Sequence, residues 1–158
     1  MSQTGRERGR TLGVMKFTNT ITIDRPVADV FAYVADLENL PRWNYAIQQT
    51  RMVSPGPVGV GTRYHQVRTV PTRQEESLEV VELDEGRRLT VRGTLNRLPA
   101  LLCYDLDHNG RTTVLSNTVE LTVPGPLVLA SPLATRRVKQ SVAANLAVLK
   151  EILEGGNG

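Results

Sequence analysis

The chain of 158 residues holds two histidines, one cysteine and one tryptophan, so few side chains can do chemistry near neutral pH. His65 and His108 lie far apart, and neither sits in an i, i+4 or metal-ligand pattern. His65 falls within "TRYHQVRTV", an alternating segment. Its near-neutral reference pKa makes it a candidate general base. Parity constrains it: where Tyr64, Gln66 and Arg68 point inward, His65 points out. His108 falls in the Asp107–Gly110 turn and is expected in solvent. Cys103 has no paired histidine motif to generate a thiolate, and no G-x-S-x-G elbow presents a serine. "PGPVGVGT" carries Gly56, Gly59 and Gly61, but lacks the Lys-Ser/Thr pair of a phosphate cradle and leads into a strand. These residues imply no metal site and no cofactor.

The remaining candidates are polar and aromatic residues on strand faces. Tyr64, Gln66, Arg68 and Tyr104 lead, with Asn117 and Trp43 behind them. Tyr104 shares parity with Leu102 and Leu106, an apolar face. A tyrosine hydroxyl or a guanidinium aimed at a ligand carbonyl can stabilise a developing enolate and steer a ring closure. The alternative places Arg68 in solvent and leaves Tyr64 as plain core. Asn117 lies on the face opposite Ser116 and Thr118, and parity alone does not say which is inside. Glu75, Glu76, Glu79 and Glu82 form an acidic strand, expected to be solvated. Arg136, Arg137 and Lys139 cluster at a helix start and are likewise read as a solvated face.

These residues need elements to hold them. "MKFTNTITID" alternates, with Asn19 the one break in its apolar face, which predicts a half-buried strand from Met15. Pro26 fits a first helical turn, and Val27, Val30, Phe31 and Val34 make an apolar stripe behind it. "ENLPRW" reads as a second short helix, interrupted at Pro41. The period then changes to about six strands in succession. Glu85-Gly86 and Asn109-Gly110 are hairpin turns, and "PTRQEE" is a polar gap. Near Leu133 the period becomes helical, with Val138, Val142, Asn145, Leu149 and Ile152 on one stripe to Glu154. Gly155-Gly156 stops it. The order predicts an α+β domain: a mostly antiparallel sheet of about seven strands, whose apolar face only the final helix is long enough to cover. A curved sheet around one helix leaves a gap suited to a small molecule.

Composition narrows the classes. Apolar residues make up 40% and charged residues 22%, as in a globular domain. Residues 1–14 read as a flexible arm and 15–155 as a single domain. The formal net charge is +3, and the arm holds Arg6, Arg8 and Arg10 against Glu7. The rest is too weakly basic for a nucleic-acid binder, and aromatic stacking platforms are scarce. There is no apolar run of the roughly 18 residues a membrane span needs. No secretory leader is recognisable, so the expected location is cytoplasmic.

Longer stretches resemble a known family. "RPVADVFAYVADLENLPRWN" is similar to the opening of the polyketide cyclase/dehydrase group of the START/Bet v 1-like superfamily, also called SRPBCC. "GPVGVGTRY" resembles its loop before the third strand, "VVELDEGRRLTVRG" its next hairpin, and "SPLATRRVKQSVAANLAVLKEILE" its closing helix. The "DHNGRTTV" turn matches more loosely, with Arg111 intervening. The resemblance covers about residues 15–154. It implies a helix-grip fold around a hydrophobic cavity, and it favours an aromatic Tyr64 facing inward, which turns His65 away. The first expectation is binding of a small hydrophobic ligand, lipid-like or polyketide-like, at Trp43, Tyr64, Gln66, Arg68, Tyr104 and Asn117. The alternatives are a cyclase, aromatase or dehydratase in the same cavity, and a non-enzymatic assembly or chaperone-like protein. The latter would show an apolar patch around "PGPLVLASPL". A monomer or homodimer is expected.

Overall fold

The computed structural model describes residues 12–125 and 131–155. Strand β1 (Leu12–Ile23) leads into helix α1 (Val27–Ala35), a 3-10 turn (Leu37–Asn39) and helix α2 (Leu40–Trp43). Strands β2 (Ile47–Met52), β3 (Arg63–Arg68), β4 (Gln74–Asp84), β5 (Arg88–Leu95), β6 (Leu98–Asn109) and β7 (Thr112–Pro124) follow, and helix α3 (Ser131–Gly155) closes the chain. The strands form one antiparallel sheet in the order β1-β7-β6-β5-β4-β3-β2. This is the expected α+β helix-grip architecture, with a curved sheet, two short helices after the first strand and a long C-terminal helix.

Period-2 alternation decides which face looks at α3. Leu78, Val80, Leu89, Val91, Leu106 and Leu115 are buried in one cluster with Leu146, Leu149 and Leu153 of α3. A second cluster joins Met15, Phe17, Val119 and Leu121 to Val138 and Val142 nearer the start of that helix. Each fully buried leucine or valine contributes roughly 1.5–3 kcal/mol relative to exposure. Asn19, the polar break in β1, donates from Nδ2 to the Lys139 carbonyl at 3.0 Å. It therefore tethers an edge strand to the helix. In β4, Val80 pairs with Val91 and Glu82 with Thr90. The bulge at Val81 restores Leu83, opposite Leu89, to the inner face.

Several boundaries differ from the sequence reading. Leu12–Val14, expected in the arm, extend β1 by pairing with Pro124, Val123 and Thr122, while residues 1–11 lie outside the described residues. Pro26 is the N-cap of α1 rather than part of its first turn. Pro41 does not interrupt α2 but stands in its first turn, where no intrahelical N–H is needed. Gln74, Glu75 and Glu76 belong to β4, so the polar gap is shorter than expected. The "PGPLVLASP" segment falls mostly at 126–130, outside the described residues. Among the described residues, no helix is long and apolar enough to cross a membrane.

Candidate functional site

Strands β3, β6 and β7 and the end of helix α2 bring the six sequence candidates to the inner face. Tyr64, Gln66 and Arg68 alternate along β3 and are all buried, at 1%, 3% and 6% exposure. Tyr104 of β6 lies opposite Asn117 of β7, and both are buried. Trp43, the last residue of α2, meets the Tyr104 ring edge-on, with centroids 6.4 Å apart at 81°. Such aromatic pairs add about 0.5–1.5 kcal/mol beyond their area. Asn117 sends Nδ2 to the Cys103 carbonyl at 3.3 Å.

Glu76 overturns an expectation. The acidic run predicts a solvated side chain, yet Glu76 is 3% exposed and stands on the inner face beside Arg68. Its Oε1 accepts from Gln66 Nε2 at 2.9 Å and from Arg68 Nε at 3.0 Å. Its Oε2 accepts from Arg68 Nε at 3.1 Å and from the Asn96 amide at 3.0 Å. Thr50 donates to Gln66 Oε1 at 3.2 Å and so fixes which way that amide points. The alternative reading of Arg68 as a solvated residue therefore fails. A guanidinium on the aliphatic inner face needs a counter-charge, and Glu76 supplies it. Period 2 from Leu78 and Val80 was the available signal for Glu76. Its acidic neighbours masked that signal, and among them Glu75 and Glu82 are indeed exposed.

Tyr64 is different. Its buried hydroxyl has no hydrogen-bond partner, as is true of Tyr33 on α1. Burial, followed by the nearby charges of Asp36 and Glu38, pushes its pKa up to about 12. The phenol is therefore held as a neutral donor. Burial also raises the Tyr104 pKa, with the neighbouring Cys103 a further cause.

Other candidates lie outside this cluster. His65 is half-buried on the opposite face of β3, with Nε2 3.4 Å from Glu75. His108 is exposed. Cys103 also points to the outer face, where Thr90 donates to its sulfur at 3.6 Å and the thiol donates to Asp105 at 3.4 Å. Burial pushes the thiol pKa up, which suits packing rather than nucleophilic attack. A polar notch on the outer face is lined by Glu82, Asp84, Arg87, Arg88, Asp105 and Leu106. Its charges pair with one another, most closely Arg88 with Asp105 at 2.6 Å. Among the described residues, no group of three His, Cys, Asp or Glu side chains could hold a metal ion.

The inner face thus combines aliphatic walls, an aromatic pair, a partnerless phenol and a buried polar network. A model of the family described as polyketide cyclase/dehydrase and lipid transport matches residues 14–154. No curated protein matches the chain in sequence. Among solved structures, the di-domain aromatase/cyclase StfQ of the steffimycin biosynthetic pathway superposes with a TM-score of 0.74 at 15% identity, over 90% of this chain and 51% of its own. This chain therefore spans about half the length of that protein. The Zhui aromatase/cyclase from Streptomyces sp. R1128 gives 0.73 at 14% identity, over 92% of this chain and 99% of its own. A START superfamily protein from Mycobacterium smegmatis gives 0.73 at 14% identity, over 90% and 99%. At these identities the likeness is one of fold. The family match covers nearly the whole described structure, and the chain belongs to the family described as polyketide cyclase/dehydrase and lipid transport.

Proposed function

We propose that the protein binds a small hydrophobic ligand, lipid-like or polyketide-like, between the inner face of the sheet and α3. Tyr64 is the observation that carries this reading. A buried hydroxyl left without a partner costs about 1–3 kcal/mol. A ligand oxygen arriving at the site would remove that cost. The surrounding leucines and valines and the Trp43–Tyr104 pair supply the apolar contacts an otherwise greasy ligand needs. Trp43, Tyr64, Gln66, Arg68, Tyr104 and Asn117 are the proposed contact residues.

Cyclase-type catalysis is the second reading, and the same residue favours it. A buried phenol kept protonated is a preorganised donor to a developing enolate oxygen. The two readings separate on product. Protein purified from its own host should carry an apolar compound identifiable by mass spectrometry, and that compound, offered back, should shift the fluorescence of Trp43, the only tryptophan. Recovery of the compound unchanged after incubation supports binding alone, whereas a cyclised or dehydrated product supports catalysis. If a panel of fatty acids, sterols and aromatic polyketides moves neither Trp43 emission nor thermal stability, both readings fail.

A further inference from the structure

The polar network on β3 and β4 has a one-sided hydrogen-bonding capacity. Both Glu76 oxygens are occupied by donors, and every contact they make is one of acceptance, the pattern of an ionised carboxylate. Gln66 uses Oε1 toward Thr50 and one amide hydrogen toward Glu76. Arg68 reaches Glu76 through Nε alone, and its two terminal amino groups make no hydrogen bond among the described residues. The capacity left over consists mainly of N–H donors, so the patch suits an acceptor. The charge, however, is already balanced. The side chains of Arg68 and Glu76 are 8% and 1% exposed, so water screens neither effectively.

We infer that Glu76 sets ligand selectivity at this site: by neutralising Arg68 while leaving its outer N–H groups open, it fits the site to a neutral oxygen acceptor, such as a ketone or ester on an apolar skeleton, and disfavours the carboxylate of a free fatty acid. This rests on the ligand-binding reading above. A carboxylate docked on the outer edge of Arg68 would lie close to the Glu76 carboxylate, a like-charge contact in a poorly screened place. A carbonyl oxygen accepts the same hydrogen bonds without that repulsion. Glu76 acts through Arg68, so it is a specificity-determining and positioning residue.

The test uses three probes with matched tails: methyl undecyl ketone, dodecanoate and tridecane. They are titrated by Trp43 fluorescence and calorimetry at about pH 8, where a carboxylic acid is ionised. The wild type should bind the ketone at least about tenfold more tightly than dodecanoate. Glu76→Gln, which keeps the shape and removes the charge, should shift that ratio by about tenfold or more toward dodecanoate. A structural role alone would weaken all three probes together. An unchanged ratio in Glu76→Gln, or dodecanoate preferred by the wild type, overturns the inference. If Glu76→Gln fails to fold, the double variant Arg68→Met/Glu76→Met decides, since it leaves no charge buried alone. There the advantage of the ketone over tridecane should fall by about threefold or more, to what Tyr64 and Gln66 alone donate, and an undiminished advantage overturns the inference. Binding of ketone and tridecane without these responses removes only the selectivity role. Failure of all three probes on the wild type removes the ligand-binding reading as well.

Discussion

Tyr64 and Glu76 are both buried on the inner face, and they predict opposite responses to removal. The Tyr64 hydroxyl has no partner, so Tyr64→Phe deletes a desolvated group and no hydrogen bond. The variant should be as stable as the wild type or up to about 1–3 kcal/mol more stable in urea unfolding. It should also bind an oxygen-bearing ligand roughly 3- to 10-fold more weakly, the worth of one hydrogen bond. A clear loss of stability would show that the hydroxyl is bonded after all. Glu76→Leu leaves Arg68 buried and unpaired, and should cost about 3–5 kcal/mol. Replacing both residues by methionine should recover most of that loss, because a buried ion pair seldom outperforms apolar residues of similar volume. Alternation along β3 made Tyr64, Gln66 and Arg68 legible as one face. Glu76 was not, because an acidic run reads as solvated until a cross-strand partner is known, and register alone supplies that partner.

At the scale of elements, turns and close approaches carry the information. Hairpins at Gly86 and Gly110, both with positive φ, were legible because glycine marks them. The β5–β6 turn uses Asn96 and Arg97, at φ of 54° and 71°, between the paired residues Leu95 and Leu98. No glycine signals it, and the Asn96 amide is held on Glu76. Arg97 has no such anchor among the described residues and occupies the left-handed region unfavourable to a side chain with Cβ. Arg97→Gly should therefore stabilise the protein by about 0.5–1 kcal/mol, read as a higher midpoint in chemical denaturation. Gly93 is the reverse case. A Cβ there would lie 2.6 Å from Leu78 Cδ2 and 2.6 Å from the Ser77 carbonyl oxygen, so β4 would have to move. Gly93→Ala should lower stability by about 1–3 kcal/mol, and the displaced strand is the one that carries Glu76.

For the molecule as a whole, the buried phenols set an alkaline limit. Tyr64 has its pKa pushed from an ordinary 10.0 to about 12, and that of Tyr104 is raised in the same direction. Above the ordinary value the unfolded chain releases protons that the native protein retains, so stability declines as pH rises. The Tyr64 contribution is fully present below about pH 10 and is lost as pH rises through about 12. Denaturation midpoints followed across that window should fall for the wild type and fall less steeply for Tyr64→Phe. Parallel slopes would show that Tyr64 ionises as it does in the unfolded chain. A ligand that binds only the native state should raise the melting temperature in proportion to the logarithm of its concentration, and the rise should shrink in Tyr64→Phe.

The sequence by itself determined the order of elements, the seven strands, the two short helices, the long closing helix and the parity that puts His65 on the face opposite Tyr64, Gln66 and Arg68. Those features follow from periods of 2 and 3.6 residues and from glycine and proline, which act over a few neighbours. The start of β1 was misplaced because Leu12–Val14 are strand only through their pairing with β7. Tertiary structure alone decided that Glu76 is the partner of Arg68, that Trp43 meets Tyr104 and that the Tyr64 hydroxyl has no partner. Each depends on which residues distant in the chain become neighbours across a strand or beneath a helix, and on how much water their packing excludes. Strand register and helix docking fix both, and a local pattern of residue types encodes neither.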